Sequence, residues 1–245
     1  YGLNPSTEAF RKEDGSFGGF GALFCRRMSE LFGIAFRPVT AEWSDLLEKL
    51  DTHEINFSTE LTPTPERRLK YFMSAPITER PLKLFRLRTS EEKLDDIELV
   101  RDLRYAFLDG TTTCDKVREV AKRPFDAVFC DNYEEAVNLL KSKTVDAFID
   151  ESTAEAAFDA FEFIVTEDFF PMVYSPVSFT TPDERLAPFV TVMDKFLNND
   201  GIHELIRLQI EGNEDYRSHK LFTRLTSREK AYIMEKVSLS WQPER

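Results

Sequence analysis

The chain has little cysteine, little histidine and no excess of positive charge, and each shortage excludes a class of function. Its 245 residues include three cysteines and three histidines. The cysteines form no CxxC pair and the histidines show no metal-ligand spacing, so we expect no structural metal. The net charge is −12 and no basic stripe is present, which argues against nucleic acid and anionic membranes as partners.

Long apolar runs are also missing. No run approaches the roughly 18 residues that a membrane-spanning helix needs. No signal peptide is visible, because the chain starts at Tyr1 inside what reads as folded sequence, so we expect a mature domain or a fragment. The hydrophobic fraction of 42% and the 22 phenylalanines provide for a substantial core, and the length allows one large domain or two lobes.

Familiar catalytic motifs are absent too. The sequence contains no GxSxG, no HExxH and no P-loop, so we expect neither a catalytic residue nor a cofactor. Aspartate and glutamate together number 44, however, and counting alone leaves a catalytic carboxylate pair open.

Helical and extended patterns alternate in the first part of the chain. From Gly18 to Gly33, large apolar residues recur at spacings of three and four, which is typical of an amphipathic helix. A short strand is predicted over 34–39, a helix from Trp43, and a strand over 55–59. This order predicts an α/β fold with a parallel sheet.

The stretch 60–67, Glu-Leu-Thr-Pro-Thr-Pro-Glu-Arg, follows the second predicted strand. Its prolines break regular structure, and Thr64 is placed to cap a helix that has Pro65 at its first position. A strand end and a helix start leave free backbone N–H groups, which suit an anion. Arg67 adds a planar fork of donors that matches a carboxylate. The alternative is a surface turn with one solvated arginine.

The remainder repeats the alternation. Residues 72–87 are predicted as extended, and strands over 104–108, 127–130 and 145–150 enclose helices, one of them with a capping box at Asn132 and Glu135. Helices over 184–197 and 202–210 follow. We therefore predict two lobes, 1–86 plus 178–245 and 87–177, with two extended crossings as hinges.

Short motifs spread along the chain carry a resemblance when they are taken in order. They are Asp14-Gly15 with Gly19-Phe20, Trp43-x-x-Leu46-Leu47, Thr62-x-Thr64-x-Glu66-Arg67, Phe72-Met-Ser-Ala-Pro76, Gly110-Thr111-Thr112 and Val145-Asp146-Ala147-x-x-Asp150. Over roughly residues 3–215 the chain resembles the family 3 solute-binding proteins, which are amino-acid-binding type II periplasmic, or Venus-flytrap, receptors. The resemblance implies two lobes, each a mostly parallel sheet flanked by helices.

The resemblance also implies how the charges of an amino acid are held. Arg67 looks like the arginine that clamps the ligand α-carboxylate, aided by Thr62 and Thr112. Asp150 looks like the carboxylate that holds the α-ammonium, although a surface residue at a strand end is the alternative. A closed cleft that buried either ligand charge without a partner would be costly. Arg67 on one lobe and Asp150 on the other meet both charges only when the lobes close.

Four further residues follow from the same resemblance. Trp43 looks like the aromatic that lines the side-chain pocket, with core packing as the alternative. Asn4 and Thr7 lie where the first loop approaches the ligand, though an aromatic is commoner at the place of Thr7. Glu60 departs from the small hydroxyl residue usual two positions before Thr62. If Glu60 faces the pocket, it favours a cationic or polar ligand side chain, and otherwise it is a solvated rim residue.

The resemblance leaves more than one role open. The tail after Gly212 is similar to segments that follow such domains in membrane-anchored sensors, so we favour the extracytoplasmic sensing domain of a bacterial signalling protein, such as a histidine kinase. The partners would be an amino acid, a membrane-anchored output domain and a second copy in a dimer. The alternatives are an ABC-transporter receptor that delivers to a permease, or a dehydratase of the same fold with Glu60 as its acid. We also predict that Cys114 and Cys130 approach one another.

Overall fold

A computed structural model of the protein describes residues 1–89 and 93–240, and the side chains as far as residue 233. Its strands are β1 (Gly2–Leu3), β2 (Phe10–Arg11), β3 (Phe17–Gly18), β4 (Val39–Thr40), β5 (Ser58–Leu61), β6 (Phe72–Leu87), β7 (Leu103–Leu108), β8 (Phe125–Cys130), β9 (Ala147–Glu151), β10 (Ile164–Asp168) and β11 (Tyr174–Thr181). Its helices are α1 (Phe20–Phe32), α2 (Trp43–Asp51), α3 (Pro65–Lys70), α4 (Leu94–Glu98), α5 (Thr113–Val120), α6 (Tyr133–Lys141), α7 (Glu155–Phe158), α8 (Ala187–Phe196), α9 (Ile202–Arg224) and α10 (Ser227–Ser240). No helix among the described residues is long and apolar enough to cross a membrane.

The main sheet has two parallel sections joined by two crossing strands. Its order is β4-β1-β5-β11-β6-β9-β7-β8, and β10 adds to β6. β4, β1 and β5 run parallel, as do β9, β7 and β8, while β6 and β11 are antiparallel to each other and to the strands beside them. We call the part built on β4-β1-β5 lobe 1 and the part built on β9-β7-β8 lobe 2. This is the mixed α/β, two-lobed architecture that the sequence predicts.

The crossing strands belong to both lobes. β6 is 16 residues long and pairs with β11 along its first part and with β9 and β10 along its second. The β6–β11 ladder shifts register between Val177 and Ser178, and again before Thr180. The predicted lobe boundaries, 86/87 and 177/178, fall within these two strands and stay a proposal. Residues 90–92 and 241–245 of the predicted lobes lie outside the described residues.

One apolar cluster lies in lobe 1, one lies in lobe 2 on the α5 side, and a third spans both lobes on the side of α2 and α6. In lobe 1, α1, α8 and α9 cover one face of the sheet, with Phe24, Phe57 and Phe179 packed together beneath them. In lobe 2, the faces are covered separately, because successive side chains of a strand point to opposite sides. Phe107 lies in the cluster on the α5 side, and Phe148 in the cluster on the α6 side.

The same alternation explains why one sequence prediction is wrong. Cys114 packs in the α5-side cluster and Cys130 in the α6-side cluster, so the sheet separates them. All three cysteines are free and buried. Cys130 instead places its thiol 3.4 Å from the carbonyl oxygen of Phe107.

Helix starts follow the predicted capping residues. Thr64 Oγ1 accepts the backbone N–H of Arg67 at 3.2 Å, and Pro65 is the first residue of α3, as predicted. Asn132 Oδ1 accepts the N–H of Glu135 at 2.9 Å at the start of α6. These caps orient the first turns, since each satisfies an N–H group that has no partner within its own helix.

The structure differs from the prediction in three short segments. β1 lies at the centre of the lobe 1 section although it is only two residues long, too short to show a hydrophobic period. The strand predicted over 34–39 forms only at Val39–Thr40. The break at Asp200 is present, with φ of 64°, but α9 continues to Arg224 rather than ending at residue 210.

Candidate functional site

A small cavity lies between the lobes, where the ends of β5 and β9 and the loop after β7 meet. Its volume is about 30 Å³. Seven of the eight predicted site residues line it: Asn4, Trp43, Glu60, Thr62, Arg67, Thr112 and Asp150. Thr7 does not; its backbone N–H donates to the carbonyl of Thr153 at 3.0 Å, and the residue lines a separate surface groove.

Hydrogen-bond donors gather at one end of the cavity, around Arg67. The cap at Thr64 sets the start of α3 and directs this guanidinium inward. Its Nη1 donates to the carbonyl of Thr62 at 3.2 Å, and its Nη2 donates across the cleft to the carbonyl of Gly110 at 2.8 Å. Burial lowers the pKa of Arg67, which still leaves it charged at neutral pH.

Trp43 completes the donor end. Its ring lies 5.7 Å from the Arg67 guanidinium carbon, within the range of a cation–π contact. Its indole Nε1 is buried and has no hydrogen-bond partner within the described part of the chain. Gly110, at φ of 72°, brings the lobe 2 loop so close that a Cβ there would lie 3.4 Å from Nε1. A buried donor without a partner is rare, and here it belongs to a residue that lines the cavity.

Acceptors gather at the other end, around Asp150. This carboxylate ends β9 and is 5% exposed. It accepts the Tyr133 hydroxyl at 3.2 Å and the N–H of Glu151 at 2.8 Å. Burial, followed by the negative charge of Glu151, raises the pKa of Asp150 to about 7.

Asn4 extends the acceptor end from lobe 1. The Tyr133 hydroxyl gives its hydrogen to Asp150, so it accepts from the Asn4 amide group. The Asn4 carbonyl oxygen is buried and has no partner among the described residues, and Asn4 is one of the residues that line the cavity. The two ends of the cavity thus carry one buried donor and one buried acceptor, both unsatisfied.

A buried ion-pair network closes the floor of the cavity around Arg80. Its Nη1 lies 3.0 Å from both Glu60 and Glu151, and its Nη2 lies 2.7 Å from Glu8. Burial alone would lower the pKa of Arg80, but the three carboxylates raise it well above its usual value. Burial raises the pKa of Glu60 against the opposing charge of Arg80. Glu60 lines the cavity, but its carboxylate forms an ion pair with Arg80.

Sequence reasoning missed Arg80, Glu151 and Tyr133. Arg80 stands beside Glu79 in the middle of a long strand, and a charged pair at that position is the signal that could have found it. Glu151 directly follows Asp150, and Tyr133 directly follows the helix cap Asn132. Within the described ranges, no group of histidine, cysteine or carboxylate side chains could hold a metal ion.

The profile of the bacterial extracellular solute-binding proteins, family 3, matches residues 2–160. The chain belongs to this family. The resemblance carried by the short motifs is thereby confirmed, and the members of this family act outside the cytoplasm. No curated protein matches the chain.

Solved structures share the fold at low identity. An amino acid ABC transporter substrate-binding protein, AbpA from Streptococcus pneumoniae, bound to L-arginine, is 15% identical with a TM-score of 0.67, covering 88% of this chain and 94% of that one. An ancestral amino-acid-binding protein, a precursor of cyclohexadienyl dehydratase, is 18% identical with a TM-score of 0.65, covering 86% and 95%. The arginine-, lysine-, histidine-binding protein ArtJ from Geobacillus stearothermophilus is 17% identical with a TM-score of 0.63, covering 84% and 92%.

Proposed function

We propose that the protein binds a free amino acid between its lobes and is not itself an enzyme. The observation that carries this proposal is the polarity of the cavity, with donors at one end and acceptors at the other. An α-amino acid has the same polarity, since its carboxylate and its ammonium lie on adjacent atoms. Arg67 and the indole N–H of Trp43 would receive the carboxylate, aided by the hydroxyls of Thr62 and Thr112. Asp150 and the Asn4 carbonyl oxygen would receive the ammonium.

Binding requires the lobes to separate first. A cavity of about 30 Å³ is far below the roughly 300–1,000 Å³ of typical ligand pockets. The Nη2 of Arg67 is engaged by the carbonyl of Gly110, which belongs to the other lobe. A ligand carboxylate would replace that carbonyl and give Arg67 a charged partner, which forms the stronger hydrogen bond.

The charge around the cavity favours a cationic or polar ligand side chain. With Arg67 assigned to the ligand carboxylate and Asp150 to its ammonium, the carboxylates of Glu60 and Glu151 remain in the lining against one cation, Arg80, which contacts both. Similar structures with arginine, lysine or histidine named as ligands support the same choice. In Glu60→Ser the preference for lysine and arginine over leucine and glutamate should fall. An unchanged preference would leave Glu60 as a partner of Arg80 alone.

Within this proposal, the protein acts as the extracytoplasmic sensing domain of a membrane signalling protein, such as a histidine kinase, and pairs as a dimer in the full-length sensor. Helix α9 continues past Gly212 to Arg224 and is followed by α10, so lobe 1 carries a long helical segment suited to transmitting movement. The alternative is a transport receptor for an ABC permease, the role named for AbpA. The rest of the gene distinguishes them: a following membrane span and kinase supports sensing, and an immediate stop supports transport.

Arg67→Ala tests ligand binding directly. Removing one partner of a desolvated charged pair costs about 2–5 kcal/mol, so we expect affinity to fall at least thirtyfold. The measurement is thermal shift of parent and variant against the twenty amino acids. At ligand a hundredfold above Kd, the parent should gain about 2.7 kcal/mol of stability.

Arg68→Ala is the matched control for this test. Arg68 lies on the same helix and likewise donates to two backbone carbonyls, those of Met73 and Ser74, but it does not line the cavity. We expect it to keep the parent's ligand response. Equal responses of the parent and Arg67→Ala would overturn the assignment of Arg67. Shifts with carboxylates that lack an amine, and none with amino acids, would overturn that of Asp150.

A further inference from the structure

Helix α9 is fixed to lobe 1 along its middle. Gly212 packs directly on the start of α1, where an added Cβ would lie 2.4 Å from the backbone nitrogen of Phe20. Asp215 accepts the N–H of Gly19 at 3.1 Å and pairs with Lys12 at 2.7 Å. These contacts pack α9 closely against α1, so we expect α9 to move with lobe 1.

The last turns of the same helix reach across to lobe 2. The Tyr216 hydroxyl donates to the carboxylate of Asp159, Lys220 forms an ion pair with the same carboxylate, and Arg224 lies 4.0 Å from it. The three side chains are spaced four residues apart, which places them on one face of the helix. Asp159 follows α7 in lobe 2, and its side chain is 24% exposed. The Asp159 carboxylate of lobe 2 therefore contacts three donor side chains of α9, a helix that is packed against lobe 1.

We propose that the end of α9, residues 216–224, is a clamp that holds the two lobes together through Asp159. Opening the cleft moves Asp159 away from a helix that cannot follow, so it breaks the Tyr216 and Lys220 contacts. The clamp thus stabilises the closed form relative to the open form and couples the cleft to the C-terminal helices. The effect on ligand affinity rests on the proposed function, whereas the clamp itself does not.

Arg224 contributes least to this clamp. Its side chain is 62% exposed, and solvent screens an ion pair at 4.0 Å strongly. Tyr216 is 9% exposed, so leaving its hydroxyl without an acceptor is costly. The proposal therefore concerns mainly Asp159, Tyr216 and Lys220.

Asp159→Ala removes the acceptor from lobe 2. The measurements are small-angle scattering and hydrogen exchange of the protein without added ligand. We expect a larger radius of gyration than for the parent, and exchange over 216–224 that is faster by roughly fivefold to thirtyfold, the lower range of coupling between sites. Glu13→Ala is the matched control, since Glu13 also pairs with a lysine of the C-terminal helices, Lys230 at 2.5 Å, but belongs to lobe 1. It should leave the radius of gyration unchanged.

Two further variants keep the test decisive if Asp159→Ala folds poorly. Lys220→Met removes the charge and keeps the length of the side chain. We expect its radius of gyration to exceed that of the parent, but by less than in Asp159→Ala. Asp159→Lys combined with Lys220→Asp restores an ion pair with reversed sign and should recover compactness relative to Asp159→Lys alone. Parent-like scattering and exchange in both folded Asp159→Ala and Lys220→Met would overturn the clamp.

Ligand titration separates the clamp from the proposed function. If the parent binds an amino acid, Asp159→Ala should weaken that binding about threefold or more, because a smaller fraction of the protein is closed. If the parent binds none while the scattering differences appear, the proposed function fails and the clamp stands. If the parent binds and the variants scatter and bind as the parent does, the clamp fails and the proposed function stands.

Discussion

The Asp150 carboxyl changes charge near neutral pH. Burial and the charge of Glu151 raise its pKa from the ordinary 3.8 to about 7. The folded protein therefore holds this proton more tightly than the unfolded chain does. The resulting contribution to stability is present below about pH 4 and is lost as the pH rises to about 7.

Binding should show the opposite dependence on pH. The ammonium of an amino acid pairs with the ionised carboxylate, so affinity should rise between pH 6 and pH 8 as Asp150 loses its proton. Below the pKa of Asp150, affinity should increase by roughly tenfold for each unit of pH. Isothermal titration over this range measures the slope. Asp150→Asn should bind more weakly at pH 8 and show a flatter profile. A profile as steep as the parent's would assign the titration to another group.

Single residues differ in how well the sequence predicts them. Arg67 follows β5 through a turn that its prolines mark, so the local sequence singles it out. Asp150 lies within β9, and its assignment followed from the family resemblance. Arg80 is marked by the charged pair with Glu79, but its contact with Glu8 could not be anticipated, because the two residues lie 72 positions apart and no local pattern joins them. Thr7, whose position followed from the resemblance, lies in a loop whose course no periodicity fixes, and it lines a separate groove.

Among the elements, the close contact between α1 and α9 depends on Gly212, which has no side chain. A Cβ at Gly212 would lie 2.4 Å from the nitrogen and 2.8 Å from the Cα of Phe20, both backbone atoms that cannot rotate away. Gly212→Ala should therefore force the helices apart and lower the free energy of unfolding by about 1–3 kcal/mol, the usual cost of overpacking.

Urea denaturation measures this effect against Asn213→Ala. Asn213 is exposed on the same helix, and its replacement should change the free energy of unfolding by less than about 0.5 kcal/mol. If alanine at the glycine position stabilises the protein, as its helix propensity alone would favour, the close approach of α1 is not rigid.

Gly212 also explains why the end of α9 could not be predicted from the sequence. Glycine near the end of an apolar pattern usually marks the end of a helix, which is why α9 was expected to stop at residue 210. Here Gly212 lies inside the helix and permits close packing, and the chain continues helically for three more turns to Arg224. The caps at Thr64 and Asn132 were predictable because capping depends on neighbouring residues alone.

For the molecule as a whole, Arg80 joins segments of the chain that are far apart in sequence. It contacts Glu8 and Glu60 of lobe 1 and Glu151 of lobe 2 from the crossing strand β6. Arg80→Met would leave two buried carboxylates, Glu8 and Glu60, and the partly buried Glu151 without their cation. We expect the free energy of unfolding to fall by about 3–5 kcal/mol at pH 8, the usual cost of breaking a buried pair.

The loss should be smaller at pH 5, because protonation relieves carboxylates that lack a cation. Chemical denaturation at both pH values measures the difference. Arg118→Met is the control, since Arg118 forms a mostly exposed pair with Asp115 at 3.7 Å and should cost less than about 1 kcal/mol. An Arg80→Met protein as stable as this control at pH 8 would contradict the role given to the network.

The strand order sets the sequence of events when the protein is made on the ribosome. β5 pairs with β11, and β11 emerges only after the whole of lobe 2 has been translated. The parallel strands of lobe 2, β7 to β9, leave the ribosome consecutively and can pair with one another before β11 emerges. Until β11 emerges, the hydrogen-bonding edge of β5 in lobe 1 stays unpaired, and an unpaired edge can pair with strands of other chains. During translation the first residues of the chain are thus the last to complete their sheet.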